Sequence, residues 1–79
     1  MERENFENAV DAFMQRQPFQ PFAIELVSGR LLEVDSPRAL VTRDGVAVHI
    51  APGGVPAIFD YRGVNRIHGE LADTLEREK

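Results

Sequence analysis

The sequence contains no cysteine, and its two histidines, His49 and His68, do not have a spacing typical of metal ligands. Disulfides are therefore excluded, and we predict no metal site, no cofactor and no catalytic residues. The chain also lacks a run of about 18 apolar residues and a basic-then-apolar N-terminus. We therefore expect a cytoplasmic protein without a membrane partner.

Tryptophan is absent, and the one lysine is Lys79. The formal charge is −4, and the acidic residues concentrate in residues 1–11 and 70–79. Between those ends the chain carries six arginines: Arg16, Arg30, Arg38, Arg43, Arg62 and Arg66. An acidic total argues against a dedicated nucleic-acid binder, whose binding surface is usually basic. The arginine-rich middle keeps such binding as an alternative.

A chain of 79 residues accommodates one domain, which we take as residues 1–79. A domain of this size removes only about 60% of its unfolded surface from water, and its core supplies about 3–5 kcal/mol net. Because disulfides and metals are excluded, pairing of subunits is the remaining way to add stability. We therefore expect a homo-oligomer.

The first part of the chain predicts an amphipathic helix over residues 3–16. Its apolar residues recur with helical spacing and form one stripe: Phe6, Ala9, Val10, Phe13 and Met14. Pro18 disfavours helical geometry at the preceding residue, Gln17, so the helix should end before Gln17. Residues 17–21 then form a stiff proline-containing linker.

From Phe22 the apolar period changes to two, which predicts strands over residues 22–68. A two-residue turn after the first strand would place Glu33 on the core face. A three-residue loop, residues 27–29, instead pairs Ile24 with Leu32 and Phe22 with Val34. We therefore expect a type I turn with Gly29 in the left-handed region.

The later turns divide the rest of the chain into short strands. Ser36 and Pro37 can cap one helical turn, and Asp44-Gly45 is a strong hairpin signal. These breaks leave strand segments over 40–42, 46–50 and 57–61, and a last short strand or 3₁₀ segment over 64–67. In the second of these we expect Val46, Val48 and Ile50 to face the core and His49 to face solvent. Residues 70–79 should be a polar tail, partly helical or frayed.

These elements predict an α+β fold. The N-terminal helix precedes five or six mainly antiparallel strands, which we expect to form a small β-barrel or a strongly bent sheet.

The segment Pro18-Phe19-Gln20-Pro21-Phe22-Ala23-Ile24-Glu25-Leu26-Val27-Ser28-Gly29-Arg30, with the late Val64-Asn65-Arg66-Ile67, resembles a group of short uncharacterised bacterial proteins. Their pattern is PF-x-PF-x-I-x-L-x-x-G-R, and the resemblance covers residues 13–68. Ser36 stands where that group often has histidine. More loosely, the helix, the first strand and the Gly-Arg turn resemble the Sm-like, SH3-type small barrel. The resemblance implies a fold more than an activity.

One group of polar residues is a candidate nucleic-acid site: Tyr61, Arg62, Asn65 and Arg66. Arginine binds phosphate with two parallel hydrogen bonds, and tyrosine stacks on bases. The competing interpretation pairs Arg62 with Asp60 and Arg66 with Glu70 on a solvated edge. We favour the second interpretation because the chain is acidic.

The sequence therefore leaves the function open between two classes. The favoured hypothesis is a non-enzymatic protein-interaction module that self-associates through a strand edge or the helix. The alternative is an Sm-like module that binds RNA or single-stranded nucleic acid. An enzyme is the least favoured class, because no nucleophile with an adjacent base can be identified.

Overall fold

A computed structural model describes residues 1–69 of the chain. The expected polar tail, residues 70–79, lies outside the described residues. The structure has one helix and six short strands, so the predicted α+β class is confirmed. The elements in chain order are α1 (Arg3–Met14), β1 (Phe22–Leu26), β2 (Leu31–Val34), β3 (Leu40–Arg43), β4 (Val46–Ile50), β5 (Pro56–Asp60), a 3₁₀ turn (Tyr61–Gly63) and β6 (Val64–His68).

The strands form two antiparallel sheets. The first sheet has the order β2-β1-β6, and the second has the order β3-β4-β5. Within residues 1–69 the strands do not close into a single barrel, so that part of the expectation is not confirmed. A hydrogen bond of 2.7 Å joins the two sheets, from His49 on β4 to the carbonyl oxygen of Glu33 on β2.

Helix α1 packs against both sheets through its predicted apolar stripe. Phe6 is fully buried and meets Phe59 of β5 edge to face, with ring centroids 6.3 Å apart. Near the other end of the helix, Phe13 stacks on Phe22 of β1 at 5.1 Å. The helix ends at Met14, two residues before the predicted boundary. Helix ends are hard to predict to the residue, because the terminal turns of helices fray. No helix among residues 1–69 is long and apolar enough to cross a bilayer.

The first hairpin has the predicted register. Phe22 pairs with Val34, and Ile24 pairs with Leu32. Gly29 has φ +94°, and its amide donates to the carbonyl oxygen of Leu26 at 2.8 Å. The three-residue loop is therefore confirmed, and it keeps Glu33 on the exposed face of β2.

Two further turns form where the sequence indicates them. Asp44 and Gly45 both have positive φ, of 54° and 82°, as a two-residue type I′ hairpin requires. The ring of Tyr61 lies so close to Gly45 that a Cβ there would be 2.8 Å from Tyr61 Cδ1. After β2, Ser36 Oγ accepts from the amide of Arg38, but the segment forms a hydrogen-bonded turn and not the expected helical turn.

The predicted orientation of β4 is wrong. Val46 and Ile50 face outward and are 46% and 42% exposed, whereas Ala47 and His49 are buried. Ala47 pairs with Phe59, which contacts Phe6 of the helix, so aromatic rings fill the space inside this part of the sheet. A small residue at position 47 suits that packing, since extra volume in a filled core is destabilising. The valines of β4 therefore lie on the outside of the sheet. His49, which the sequence predicts to face solvent, is instead only 3% exposed.

Candidate interaction surface

A prominent feature of the structure is an apolar face that no other part of residues 1–69 covers. We name the side of the second sheet that points away from the core the outer face. Its apolar side chains come from all three strands: Val41, Val46, Val48, Ile50 and Ile58. Ile58 is 73% exposed and Val41 is 60% exposed, while Val48 is half-buried between them. Val55, in the loop before β5, is also exposed, at 61%.

Strand register arranges these residues in rows across the sheet. Val48 pairs with Val41 on one side and with Ile58 on the other, so three β-branched side chains form a central row. Side chains at directly paired positions are about 4.5–5.5 Å apart at Cβ, close enough to contact each other. The outer face is therefore one contiguous patch and not a scatter of single exposed residues.

A charged row borders the apolar residues on one side. Val46 pairs with Arg43 of β3 and with Asp60 of β5, so a cation and an anion flank the same valine. The Arg43 side chain is 92% exposed, and its ion pair with Asp44 is long, at 3.9 Å. Asp60 Oδ1 accepts from the amide of Arg62 at the start of the 3₁₀ turn. The outer face thus carries opposite charges at its two edges, at one height along the strands.

A shallow groove adjoins the outer face at Ile50. It has a volume of about 240 Å³ and is lined by Asp35, Ser36, Arg38, Ala39, Ile50, Ala51 and Pro52. Its polar residues come from the turn that separates β2 from β3. The groove therefore lies at a polar border of the apolar face and is not a deep binding cavity.

His49 lies on the opposite, buried side of the same sheet. Its Nε2 is 2.7 Å from the carbonyl oxygen of Glu33. Because a carbonyl oxygen can only accept, Nε2 must carry the proton in this contact. Nδ1 is buried and has no hydrogen-bond partner among the described residues. The imidazole therefore acts as a spacer between the sheets, held by one hydrogen bond.

The structure gives three of the four predicted nucleic-acid residues, Tyr61, Arg62 and Arg66, contacts within the chain. The guanidinium of Arg62 binds Asp60 at 3.2 Å and lies 5.4 Å from the centre of the Tyr61 ring. Tyr61 is half-buried and packs against the core, whereas Asn65 is exposed. Arg66 Nε donates to Glu25 Oε1 at 2.7 Å. The pairing of Arg62 with Asp60 agrees with the solvated-edge interpretation.

Glu25 on β1 has two basic partners on β6. Arg66 is hydrogen-bonded to its carboxylate, and His68 Nε2 lies 3.5 Å from the same oxygen. The hydrogen bond from Arg66 lowers the pKa of Glu25 below its ordinary value, and the contact with His68 lowers it further. His68 thus lies at a strand edge, half-buried, beside a carboxylate.

We expect Arg66→Ala to return the pKa of Glu25 toward its ordinary value. The folded-state pKa of Glu25 lies below the unfolded value, so the pair adds stability at neutral pH. That contribution is lost as the pH falls below about 4.3, the ordinary glutamate value, toward the folded pKa. NMR titration of the side-chain carboxyl carbon would measure the change. Arg38→Ala is the matched control, and an unchanged Glu25 titration in Arg66→Ala would contradict the assignment.

Residues 1–69 contain no group of three or more histidine, aspartate or glutamate side chains that could hold a metal ion.

No family model, curated protein or solved structure matches this chain. The interpretation of the outer face therefore rests on its own geometry and chemistry.

Proposed function

We propose that this chain is a non-enzymatic protein-interaction module and that the outer face of the second sheet is its binding surface. The observation that carries the proposal is the exposed row formed by Val41, Val48 and Ile58. Contiguous apolar patches on a soluble chain usually mark sites of protein association, because exposing them to water is unfavourable. An apolar centre with charges at its border is also the usual anatomy of a protein interface.

We further propose that the two sheets correspond to an Sm-like, SH3-type fold. Three features support this relationship. Strand β1 pairs with both β2 and β6, β2 and β3 are separated by a single turn at Ser36-Pro37, and a 3₁₀ turn joins β5 to β6. On this view β2 and β3 are two parts of one bent strand, and the bond between His49 and Glu33 holds the bend.

The alternative function, binding of RNA or single-stranded nucleic acid by Tyr61, Arg62, Asn65 and Arg66, has less support. Both arginines are engaged by carboxylates, and the tyrosine ring packs inward instead of offering a free stacking surface. A salt-sensitive mobility shift of labelled RNA that Arg62→Ala weakens would support this alternative.

A photoreactive phenylalanine analogue in place of Ile58 should form protein adducts in cells on irradiation. The same analogue in place of Leu31 is the matched control, because Leu31 is 54% exposed but lies on the other sheet. We expect adducts from position 58 at several times the yield from position 31, measured by denaturing gel and mass spectrometry. Equal yields from the two positions, or no adduct from either, would contradict the proposed binding surface.

A further inference from the structure

The arrangement of charges on the outer face makes it complementary to itself. We infer that the partner bound there is a second copy of this chain, related by a twofold axis that runs parallel to β4. This inference rests on the proposed function, because it names the occupant of the same surface. It commits to a dimer with two sheets packed face to face.

The direction of the axis follows from the positions of the strands. Rotation by 180° about a line parallel to β4 places β3 of one copy over β5 of the second copy. Each row of side chains stays at its own height along the strands. Val48 at the centre therefore meets Val48 of the second copy, and Val41 meets Ile58.

The same rotation brings the charged row into register. Arg43 and Asp60 lie at one height on opposite edges of the sheet, because both are paired with Val46. Arg43 of each copy then faces Asp60 of the other, so each Asp60 carboxylate, which binds Arg62 of its own chain at 3.2 Å, gains a second cation across the interface. In the single chain Arg43 is 92% exposed and its contact with Asp44 is long, so it is available for a better partner.

The other twofold axis in the plane of the interface is less favourable. An axis perpendicular to β4 inverts the order of the rows, so Arg43 and Asp60 would lie against the row of Ile50 and Pro56. Charges placed against apolar side chains lose their hydration without a compensating partner. The chain's own charge pattern therefore selects the axis parallel to β4.

The geometry of packed sheets tolerates this arrangement. Face-to-face sheets lie about 10 Å apart and cross at about 30°, so the twofold axis, parallel to β4 for flat sheets, would be inclined to it by about half that angle. The charged row lies two residues along the strands from the row of Val48. The crossing would therefore shift Arg43 by roughly 4 Å from exact overlap with Asp60 of the other copy. An arginine side chain can span that displacement, so both ion pairs can still form.

The size of the face sets the expected affinity. Three strands of four or five residues give a face of about 15 by 17 Å. The contact is therefore smaller than the roughly 800 Å² per partner of a standard interface. We expect a reversible dimer with a dissociation constant on the order of 10–100 µM, corresponding to the weak end of specific association.

Sedimentation of the full chain over roughly 5–500 µM tests this inference, since that range brackets the expected dissociation constant. Arg43→Glu should weaken the dimer about 30-fold or more, because the introduced carboxylate would face Asp60 of the other copy at both ends of the charged row. Arg30→Glu makes the same charge change on the first hairpin and should leave the dimer intact. Ile58→Glu should weaken the dimer as strongly as Arg43→Glu, with Leu31→Glu as its control.

Mixing two charge variants tests the axis itself. Arg43→Glu chains mixed with Asp60→Lys chains should form heterodimers, because the introduced carboxylate then meets the introduced ammonium group and the remaining ion pair is native. Asp60 also caps the 3₁₀ turn, so Asp60→Asn is the second choice if the lysine variant does not fold. A mixture with Asp60→Asn still removes the repulsion and should restore dimerisation of the Arg43→Glu chain.

The contrary outcomes are distinct. A wild-type chain that stays monomeric throughout the range overturns the second copy as occupant, while adducts to another protein from position 58 would leave the proposed function standing. A dimer weakened by Ile58→Glu but not rescued in the mixture overturns the axis. A dimer that neither substitution weakens overturns the inference and would mean association through a strand edge or the helix.

Discussion

His49→Ala should lower the free energy of unfolding by about 2–4 kcal/mol. The substitution removes the part-buried hydrogen bond to the carbonyl oxygen of Glu33, which contributes about 0.5–1.5 kcal/mol, and it also opens a cavity between the sheets. Since a core of this size supplies only about 3–5 kcal/mol, much of the variant should be unfolded at room temperature. Urea denaturation followed by far-ultraviolet circular dichroism would measure the loss.

His68→Ala is the matched control for this prediction, because it removes the other histidine from a half-buried strand edge. Its effect should be below about 1 kcal/mol, as is usual for partly exposed ion pairs. His49→Leu separates the two contributions to the effect, since leucine fills the space but cannot donate to Glu33. Equal losses from His49→Ala and His68→Ala would show that the imidazole does not hold the sheets together.

Phe22→Ala should have the largest effect of any single substitution considered, about 3–5 kcal/mol. Phe22 is 1% exposed, stacks on Phe13 of the helix and lies 6.2 Å from Phe19 of the linker. Its removal therefore loosens the contacts of the helix, the linker and β1 together. We expect a variant without a cooperative urea transition.

Leu31→Ala is the control for Phe22→Ala, since Leu31 belongs to the same sheet but is 54% exposed. Its effect should lie within about 0.5 kcal/mol of zero, as for most surface substitutions. Phe19→Ala should fall between the two, because Phe19 is partly buried against the core. If Phe22→Ala retained the wild-type urea midpoint, the proposed centre of the core would be wrong.

The sequence predicts the fold best where a turn and a polar residue act together. In the first hairpin, a two-residue turn would have buried Glu33, and that cost selects the three-residue loop that the structure shows. Asp44-Gly45 similarly determines its hairpin, because few other pairs accept positive φ at both positions. These features are local, so a few neighbouring residues are sufficient to predict them.

The orientation of β4 shows what alternation alone cannot determine. Alternation establishes that Val46, Val48 and Ile50 share one side, but it does not say which side is inside. Arg43 and Asp60 are the missed signal, because the register of the neighbouring strands puts both on the valine side. Two charges that share a face with the valines indicate that this face points outward.

The partners of the polar residues are predictable only in part. Arg62 binds Asp60, two residues earlier in the chain, and the sequence suggests this pair directly. The sequence also suggests Glu70 as a partner for Arg66, but Glu70 lies outside the described residues, and the structure shows Arg66 bound to Glu25. That contact spans 41 residues and depends on the pairing of β1 with β6, which no local pattern reveals.

Tyr61, whose ring lies against Gly45, is an intrinsic fluorophore. The chain has one tyrosine and no tryptophan, so its ultraviolet emission comes from a single ring without energy transfer to indole. That ring lies against the turn between β3 and β4, at the point where β5 leads into the final strand. Changes in its quantum yield therefore report whether the end of β5 has packed against the turn between β3 and β4, with no extrinsic dye attached.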